Sequence, residues 1–318
     1  MSKSAGEEVL DRCLVCGSGE WSAVREGTDL CRPNYPKIFK LARCVSCGHV
    51  MQIPVPDVQE LDAAYSVSGD YVCYRPAWRE KGWPLWKILR TWTTSRRVNR
   101  LKKHATGRDL LEVGCGAGDF LVAAQKAGWK ACAVEYNPEM VQALREKFGF
   151  DIRVGELAPN LWENSAFDTV AFWNVLEHVR NPITELTTAA QYLRPGGQLF
   201  LNIPSKQAAE RGMWFGERWA LLDLPRHIYF FDEEALSRVC EKAGLELKVY
   251  QTPFVQSAWC YYMSCWNWAS RNGKSLGSWG TFFALSAVVT VCLPYFAWES
   301  ASKRGLDAFA VATKPASS

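Results

Sequence analysis

Along the middle of this 318-residue chain, the pattern of apolar and polar positions changes period at regular intervals. Leu110-Leu-Glu-Val113 has the length and apolar character of a short buried strand. Glycines 114, 116 and 118 follow as a tight turn. From Asp119, Phe120, Leu121, Ala123 and Ala124 fall at helical spacing up to Gly128. Lys130 to Glu135 then reads as a second strand, Pro138 to Phe148 as a helix started by Asn137, and Phe150 to Val154 as a third strand. Phe167 to Trp173 is the fourth. Asn181-Pro182 caps a helix running to Leu193, and Pro195-Gly-Gly197 leads into a fifth strand, Gln198 to Ile203. Asp232 caps a helix reaching Ala243, with Gly244 as its stop, ahead of a sixth strand at Leu245 to Tyr250. The best seventh strand is Asp307 to Thr313, expected antiparallel. Strands alternating with helices predict an α/β fold, a mostly parallel sheet covered on both faces.

Two stretches depart from that alternation. Residues 252–305 separate the sixth strand from the seventh, with uncharged runs at 250–270 and 275–298 joined by Arg271-Asn-Gly-Lys274. By length alone the second run would pass for a bilayer span. A single crossing would strand Asp307–Thr313 across the membrane from its sheet. A hairpin would carry Arg271 and Lys274 across and bury Gln256 and Asn267. Trp259, Tyr261, Tyr262, Trp266 and Trp268 suit a hydrophobic lid or a surface lying in the membrane interface, with a buried homodimer contact as the alternative. Upstream, Arg75 to His104 holds ten Lys/Arg against one acid, Glu80, and Pro84 starts a helix with Leu85, Ile88, Leu89 and Trp92 on one face. Such a helix could meet nucleic acid, an anionic lipid surface or a phosphorylated substrate, or could simply be solvated.

Composition changes this picture mainly through cysteine. Met1 to Arg12 is polar and charged, without a signal-peptide pattern, so the twelve cysteines point to reduced thiols and a cytoplasmic protein, peripheral at the inner membrane face if the insertion meets lipid. Four of them form two knuckles, Cys13-Leu-Val-Cys16-Gly17 and Cys44-Val-Ser-Cys47-Gly48. Each spacing brings two thiolates to one side of a turn, and together they complete the closed S4 set that structural Zn2+ prefers. Cys31 and His49 are bystanders by spacing, though either could substitute as a ligand. The expected organisation is a zinc ribbon at 1–57, a basic, aromatic helical linker at 58–107, a cofactor-binding domain made of 108–251 with 306–318, and the apolar insertion at 252–305. A net charge of +4 is mild, and a 48% hydrophobic share is ample for a core.

The glycine turn selects the ligand. A strand, a glycine turn and a helix let a ligand approach bare backbone at a helix N-terminus, and Glu135 lies where such folds place a carboxylate on ribose hydroxyls. A dinucleotide site wants G-x-G-x-x-G. Here the spacing is G-x-G-x-G, and Asp119 at the helix start would repel a pyrophosphate. S-adenosyl-L-methionine, an adenosine with a sulfonium and an amino acid but no phosphate, fits.

These residues resemble the Rossmann-like S-adenosylmethionine-dependent methyltransferases, in particular a bacterial group with an N-terminal zinc ribbon associated with polysaccharide or secondary-metabolite pathways. The resemblance rests on both CxxCG knuckles, Leu110–Phe120, Phe167-Asp168, Asn174-Val-Leu-Glu-His178, Leu193-Arg-Pro-Gly-Gly197 and Asp223-Leu-Pro-Arg-His227. It implies a seven-stranded sheet. It also implies that Glu112 and the turn of Gly114, Cys115, Gly116 and Gly118 face the methionine part of the cofactor. Glu135, with Tyr136 beside it, should hold the ribose, Glu156 and Leu157 should lie near the adenine, and Asn174 should face the reaction cleft.

Methyl transfer is an in-line displacement, so the protein supplies orientation and, for a hydroxyl acceptor, a base. His227 is the preferred base, His178 is a second candidate, and Arg226 is available for an anionic group; either histidine could instead shape a loop. Trp214, Trp219 and Tyr229 could line an apolar acceptor pocket, or simply pack. The leading reading is O-methylation of a small-molecule, glycosyl or lipid-linked acceptor. RNA base methylation competes through the ribbon and the basic helix, but Trp173-Asn-Val-Leu176 lacks the Asn/Asp-Pro-Pro-aromatic clamp of exocyclic amine methylation. A non-catalytic membrane or nucleic-acid docking module is a further alternative, and a nicotinamide dehydrogenase is disfavoured by the glycine spacing.

Overall fold

The computed structural model describes residues 12–29, 32, 35–66, 84–211, 219, 221–255, 257–258, 261–262, 286–287 and 289–316, with side chains from residue 90 onward in the helix that begins at 84. The glycine-turn segment builds β4 (Asp109–Val113), α3 (Asp119–Lys126), β5 (Lys130–Glu135), α4 (Pro138–Phe148) and β6 (Ile152–Val154). The chain then crosses back to β7 (Phe167–Trp173), α5 (Pro182–Tyr192) and β8 (Leu193–Pro204) on the other side of β4. After α7 (Glu233–Lys242), β10 (Glu246–Gln251) and β11 (Asp307–Thr313) complete a seven-stranded sheet in the order β10-β11-β8-β7-β4-β5-β6. β11 lies antiparallel between β8 and β10, and the strands from β8 to β6 are parallel. This is the expected Rossmann-like α/β sheet. Its order reverses between β4 and β7, so a crevice opens at the carboxyl ends of those strands.

Local chemistry explains the boundaries. Asn137, Asn181 and Asp232 accept from the backbone N–H of Met140, Thr184 and Ala235, each filling one of the unsatisfied donors of a helix start. Leu110, Leu111, Val170, Phe172, Leu199 and Leu201 are buried, as strands covered on both faces require. Two strands differ from expectation. The third keeps only Ile152–Val154, because it is a sheet edge with Arg153 and Val154 exposed. The fifth starts at Leu193, because Gly196 N–H donates to the Lys314 carbonyl and Lys314 N–H to that of Gly197, continuing the ladder.

The cysteine-bearing segment forms an antiparallel sheet of β1 (Trp21–Gly27), β2 (Phe39–Cys44) and β3 (Val50–Gln52). Its fourth strand, β9 (Tyr229–Phe230), comes from the segment after β8, with Val50 opposite Phe230 and Met51 opposite Tyr229. The ribbon side chains Cys13, Val15 and Met51 therefore share one core with Ile228, Tyr229 and Leu236. Two helices follow the ribbon, α1 (Val58–Ser66) and α2 (Pro84–His104), and α6 (Lys206–Arg211) follows β8.

The described part of the insertion is anchored at its roots. Gly305 and Leu306 N–H donate to Thr252 Oγ1 and Ser257 Oγ, and Ser205 Oγ donates to the Gly305 carbonyl. Its helix α8 (Leu293–Ala301) buries Phe296 and Glu299, the latter paired with Arg211, and exposes Leu293, Tyr295 and Trp298, with Val291 just before it. Among the described residues no helix is long and apolar enough to cross a membrane. Cys31, Glu80, Trp214 and the aromatics Trp259, Trp266 and Trp268 lie outside the described residues.

Candidate active site and metal centre

The glycine turn closes on two buried acids. Gly114 and Gly118 have φ of 68° and 75°, and a Cβ on either would lie 2.6 Å from Val175 or Leu144, so only glycine fits this approach. Glu135, at the end of β5, accepts from Gly116 N–H at 2.7 Å and Asn137 N–H at 3.0 Å. Burial raises its pKa against those backbone donors. Glu112 is fully enclosed in β4, its pKa raised by burial and partly offset by Arg97. Its Oε2 has no hydrogen-bond partner. An orphaned buried carboxylate oxygen beside a glycine cradle suits a cationic amino acid group, so the residues fit S-adenosylmethionine. Cys115 is buried within the turn, its thiol pushed well up by burial. Tyr136 is exposed and donates to Asp62 of α1, Leu157 is buried, and Glu156 is exposed.

Helix α2 lies over this turn, and two of its arginines point toward it. Arg90 pairs with Asp119 at 2.5 Å, and Arg97 donates to Asn174 Oδ1 at 3.2 Å. The carboxylate expected to repel a pyrophosphate is therefore ion-paired. These arginines were missed in the sequence as site residues; ten Lys/Arg in a row of thirty positions gave a charge but no direction.

At the carboxyl end of β7 a second cluster forms. Asn174 sits at φ 62° and donates through Nδ2 to Glu177 Oε1 at 3.3 Å. Glu177, His178 and His227 place their ligand-type atoms within 4.8 Å of one another. His178 Nδ1 lies 3.0 Å from the Arg226 carbonyl and His227 Nδ1 lies 2.8 Å from that of Leu221. A carbonyl only accepts, so both Nδ1 atoms carry the proton and both Nε2 atoms offer a lone pair. Desolvation, reinforced by His227, takes His178 down to about 3, and desolvation lowers His227 as well. Burial raises Glu177 to about 8, and its Oε2 is unpartnered. Two neutral imidazoles and a carboxyl can move a proton or hold a divalent cation. Glu177 is the residue the sequence reading left without a role, since nothing in its spacing shows which way it faces.

One expectation is corrected here, and an alternative left open for two aromatics is decided. Arg226 is fully buried and donates to Asp29, Asp223 and the Ala64 carbonyl, which uses its whole guanidinium internally and leaves nothing for an anionic acceptor. Trp219 packs at full burial with Nε1 bonded to the Ala208 carbonyl, and Tyr229 is buried with its hydroxyl on the Arg180 carbonyl. Both simply pack in the core, the second of the two alternatives open for them.

In the ribbon, the Sγ atoms of Cys13, Cys16, Cys44 and Cys47 cluster within 4.8 Å, with 3.5 Å between Cys13 and Cys47 and between Cys16 and Cys44. A tetrahedral zinc with thiolates at about 2.3 Å would set neighbouring sulfurs about 3.8 Å apart, so the four side chains fit such an ion. Gly17 and Gly48 N–H close each knuckle onto the Cys13 and Cys44 carbonyls. His49 stands apart from the set, stacked on Phe231.

Comparison with known proteins identifies the family. The family model described as a methyltransferase domain matches residues 87–249, just over half of the chain. The chain belongs to this methyltransferase family, whose class is Rossmann-like and S-adenosylmethionine-dependent. Similar relatives include the ubiquinone biosynthesis O-methyltransferases of Xanthomonas euvesicatoria, 30% identical over 45% of this chain and 64% of the relative, and of Xylella fastidiosa, 31% identical over 45% and 63%. The chain thus spans less than two thirds of the length of these relatives. Among solved structures, a sarcosine dimethylglycine methyltransferase described as putative from Galdieria sulphuraria aligns with TM-score 0.49 at 12% identity, over 72% of this chain and 86% of that one.

Proposed function

We propose that this protein transfers a methyl group from S-adenosylmethionine to an oxygen of a small, hydrophobic or lipid-linked acceptor. The observation that carries this reading is the pair of Nε2 lone pairs on His178 and His227, beside Glu177, which is bonded through Asn174 to Arg97, whose charge acts on the buried Glu112. When bound, S-adenosylmethionine supplies an electrophilic methyl on its sulfonium. Glu135 takes the ribose while bracing the glycine turn, Glu112 takes the amino acid end, and Glu156 with Leu157 borders the adenine. His227 removes the acceptor proton, and His178 fixes its orientation across a ring separation of 4.8 Å. The two similar relatives carry O-methyltransferase in their names, which supports oxygen as the accepting atom.

The lipid-linked form of the acceptor is supported by the exposed apolar face of α8, and peripheral membrane contact goes with it. The four thiols hold one structural zinc per chain. Against RNA as acceptor, Arg90 and Arg97 are turned onto Asp119 and Asn174.

Calorimetric titration of the full chain with S-adenosylhomocysteine, run beside NADH, tests the core of this reading. Binding of the former alone is expected. Binding of NADH instead, or of neither, would overturn it.

A further inference from the structure

A second concave site lies beyond the reaction cleft. It is a cavity of about 320 Å³ walled by α2, the end of β10 and the end of α8. Arg96, Arg100 and Lys303 line it with Thr252 and Ser300, and among the described residues no carboxylate does. Arg96 rests on the Trp92 ring and Arg100 on the Phe309 ring, contacts that hold a guanidinium in place without neutralising it. Lys303, at the rim, is paired with Glu233. Burial, with Arg96 and Arg97 close by, pushes Arg100 down to about 10, and the nearby Asp307 is itself raised by burial to about 7. Positive charge is therefore gathered here in excess of its counter-charge.

Hydrogen bonds link the cavity's Arg100 to the residues of the cleft. Arg100 reaches Asn202 Oδ1 at 3.4 Å, and Asn202 Nδ2 reaches Asn174 Oδ1 at 3.3 Å. Arg100 thus stands two hydrogen bonds, and a ligand group held by it three, from Asn174. A guanidinium fork is the side chain best matched to a phosphate.

We propose that this cavity is a phosphoryl subsite for the acceptor, in which Arg96, Arg100 and Lys303 hold the phosphate or diphosphate of a phosphorylated acceptor while its hydroxyl lies at Asn174 and the two histidines. This rests on the methyltransferase reading above. It narrows the acceptor to molecules carrying a phosphoryl group, either on a prenyl chain or on a nucleotide.

Titration of the full chain with inorganic pyrophosphate tests it, with S-adenosylhomocysteine titrated into the same preparation. Salt-sensitive pyrophosphate binding is expected, weakened about tenfold or more by R96Q and by R100Q, the loss of one charge-assisted contact. R96Q, at the cavity edge, keeps the test valid if R100Q fails to fold. K102Q and K103Q, on exposed positions of the same helix, should change it by no more than about twofold. No pyrophosphate binding at low salt, or equal weakening by the lysine variants, would overturn the subsite while leaving the methyltransferase reading intact if S-adenosylhomocysteine binds. Pyrophosphate binding without S-adenosylhomocysteine binding would sink both the reading and the acceptor assignment. Farnesyl diphosphate and uridine diphosphate separate the sources. Whichever binds more tightly than pyrophosphate identifies the carrier, and neither doing so would overturn the acceptor role.

Discussion

The cofactor side and the acceptor side of this site are assembled in opposite ways. The first comes from one stretch of chain: β4, the glycine turn, Glu135 and Leu157 lie within fifty residues and meet through adjacent strands. The second is drawn from distant segments. Asn174, Glu177 and His178 follow β7, His227 and Arg226 follow β8, Asn202 and Asp307 sit on neighbouring antiparallel strands, Arg97 and Arg100 arrive on α2, and Asp29 comes from the ribbon. Contiguous parts can be tuned locally. Scattered parts depend on the packing of everything between them, so the acceptor side should be the more sensitive to distant changes.

The largest test of that difference is catalytic. Replacing His227 with Gln should lower kcat by roughly 10²–10⁴-fold, the range for a lost general base, while S-adenosylhomocysteine affinity stays unchanged. A parallel loss of affinity would show that the two halves are not separable. Next comes the reach of the ribbon. Asp29 and Arg226 are paired with both side chains fully buried, and the Arg226 carbonyl receives His178 Nδ1–H. Asp29→Ala should cost about 1–3 kcal/mol of unfolding free energy, because it leaves buried N–H groups of Arg226 without an acceptor while Asp223 still balances the charge, and chemical denaturation would measure it. A loss below 1 kcal/mol, roughly the worth of a surface pair, would mean the ribbon merely touches the site.

Smaller, and confined to the cofactor side, is Glu135→Gln. It keeps one oxygen for the backbone donors but removes the charge, and S-adenosylhomocysteine should bind about tenfold more weakly by calorimetry. Full affinity would remove Glu135 from the ribose. The pH profile sharpens the acceptor side further. A histidine whose pKa is lowered stays neutral and basic as pH falls through the ordinary imidazole value. The acid limb of kcat/KM should therefore lie below about 6.5, and a limb above it would contradict a desolvated base. The smallest effect belongs to α8, where Trp298→Ser should leave cofactor affinity and turnover of a water-soluble acceptor unchanged but reduce retention on anionic vesicles.

Much of the scaffold was legible because its signals are short-range. Period changes fixed the alternation of strands and helices, Asn137, Asn181 and Asp232 announced three caps, and the spacing of glycines and cysteines announced two ligand geometries. Arg226 shows where that stops. An arginine beside a histidine in a loop reads as anion-binding, and only the fold reveals that Asp29, almost two hundred residues away, occupies it.

What the sequence determined by itself is the α/β class, the cofactor turn and the cysteine knuckles, since each is a property of neighbours whose geometry the backbone sets within a few residues. The tertiary structure decided which chemistry-bearing side chains meet. Of the four histidines, His49 stacks in the ribbon core and His104 packs beside Phe200 and Phe309, while His178 and His227 converge on Glu177. The physical reason is that side-chain direction at a strand end depends on long-range packing, which buries one face and opens the other, and no local period encodes that choice.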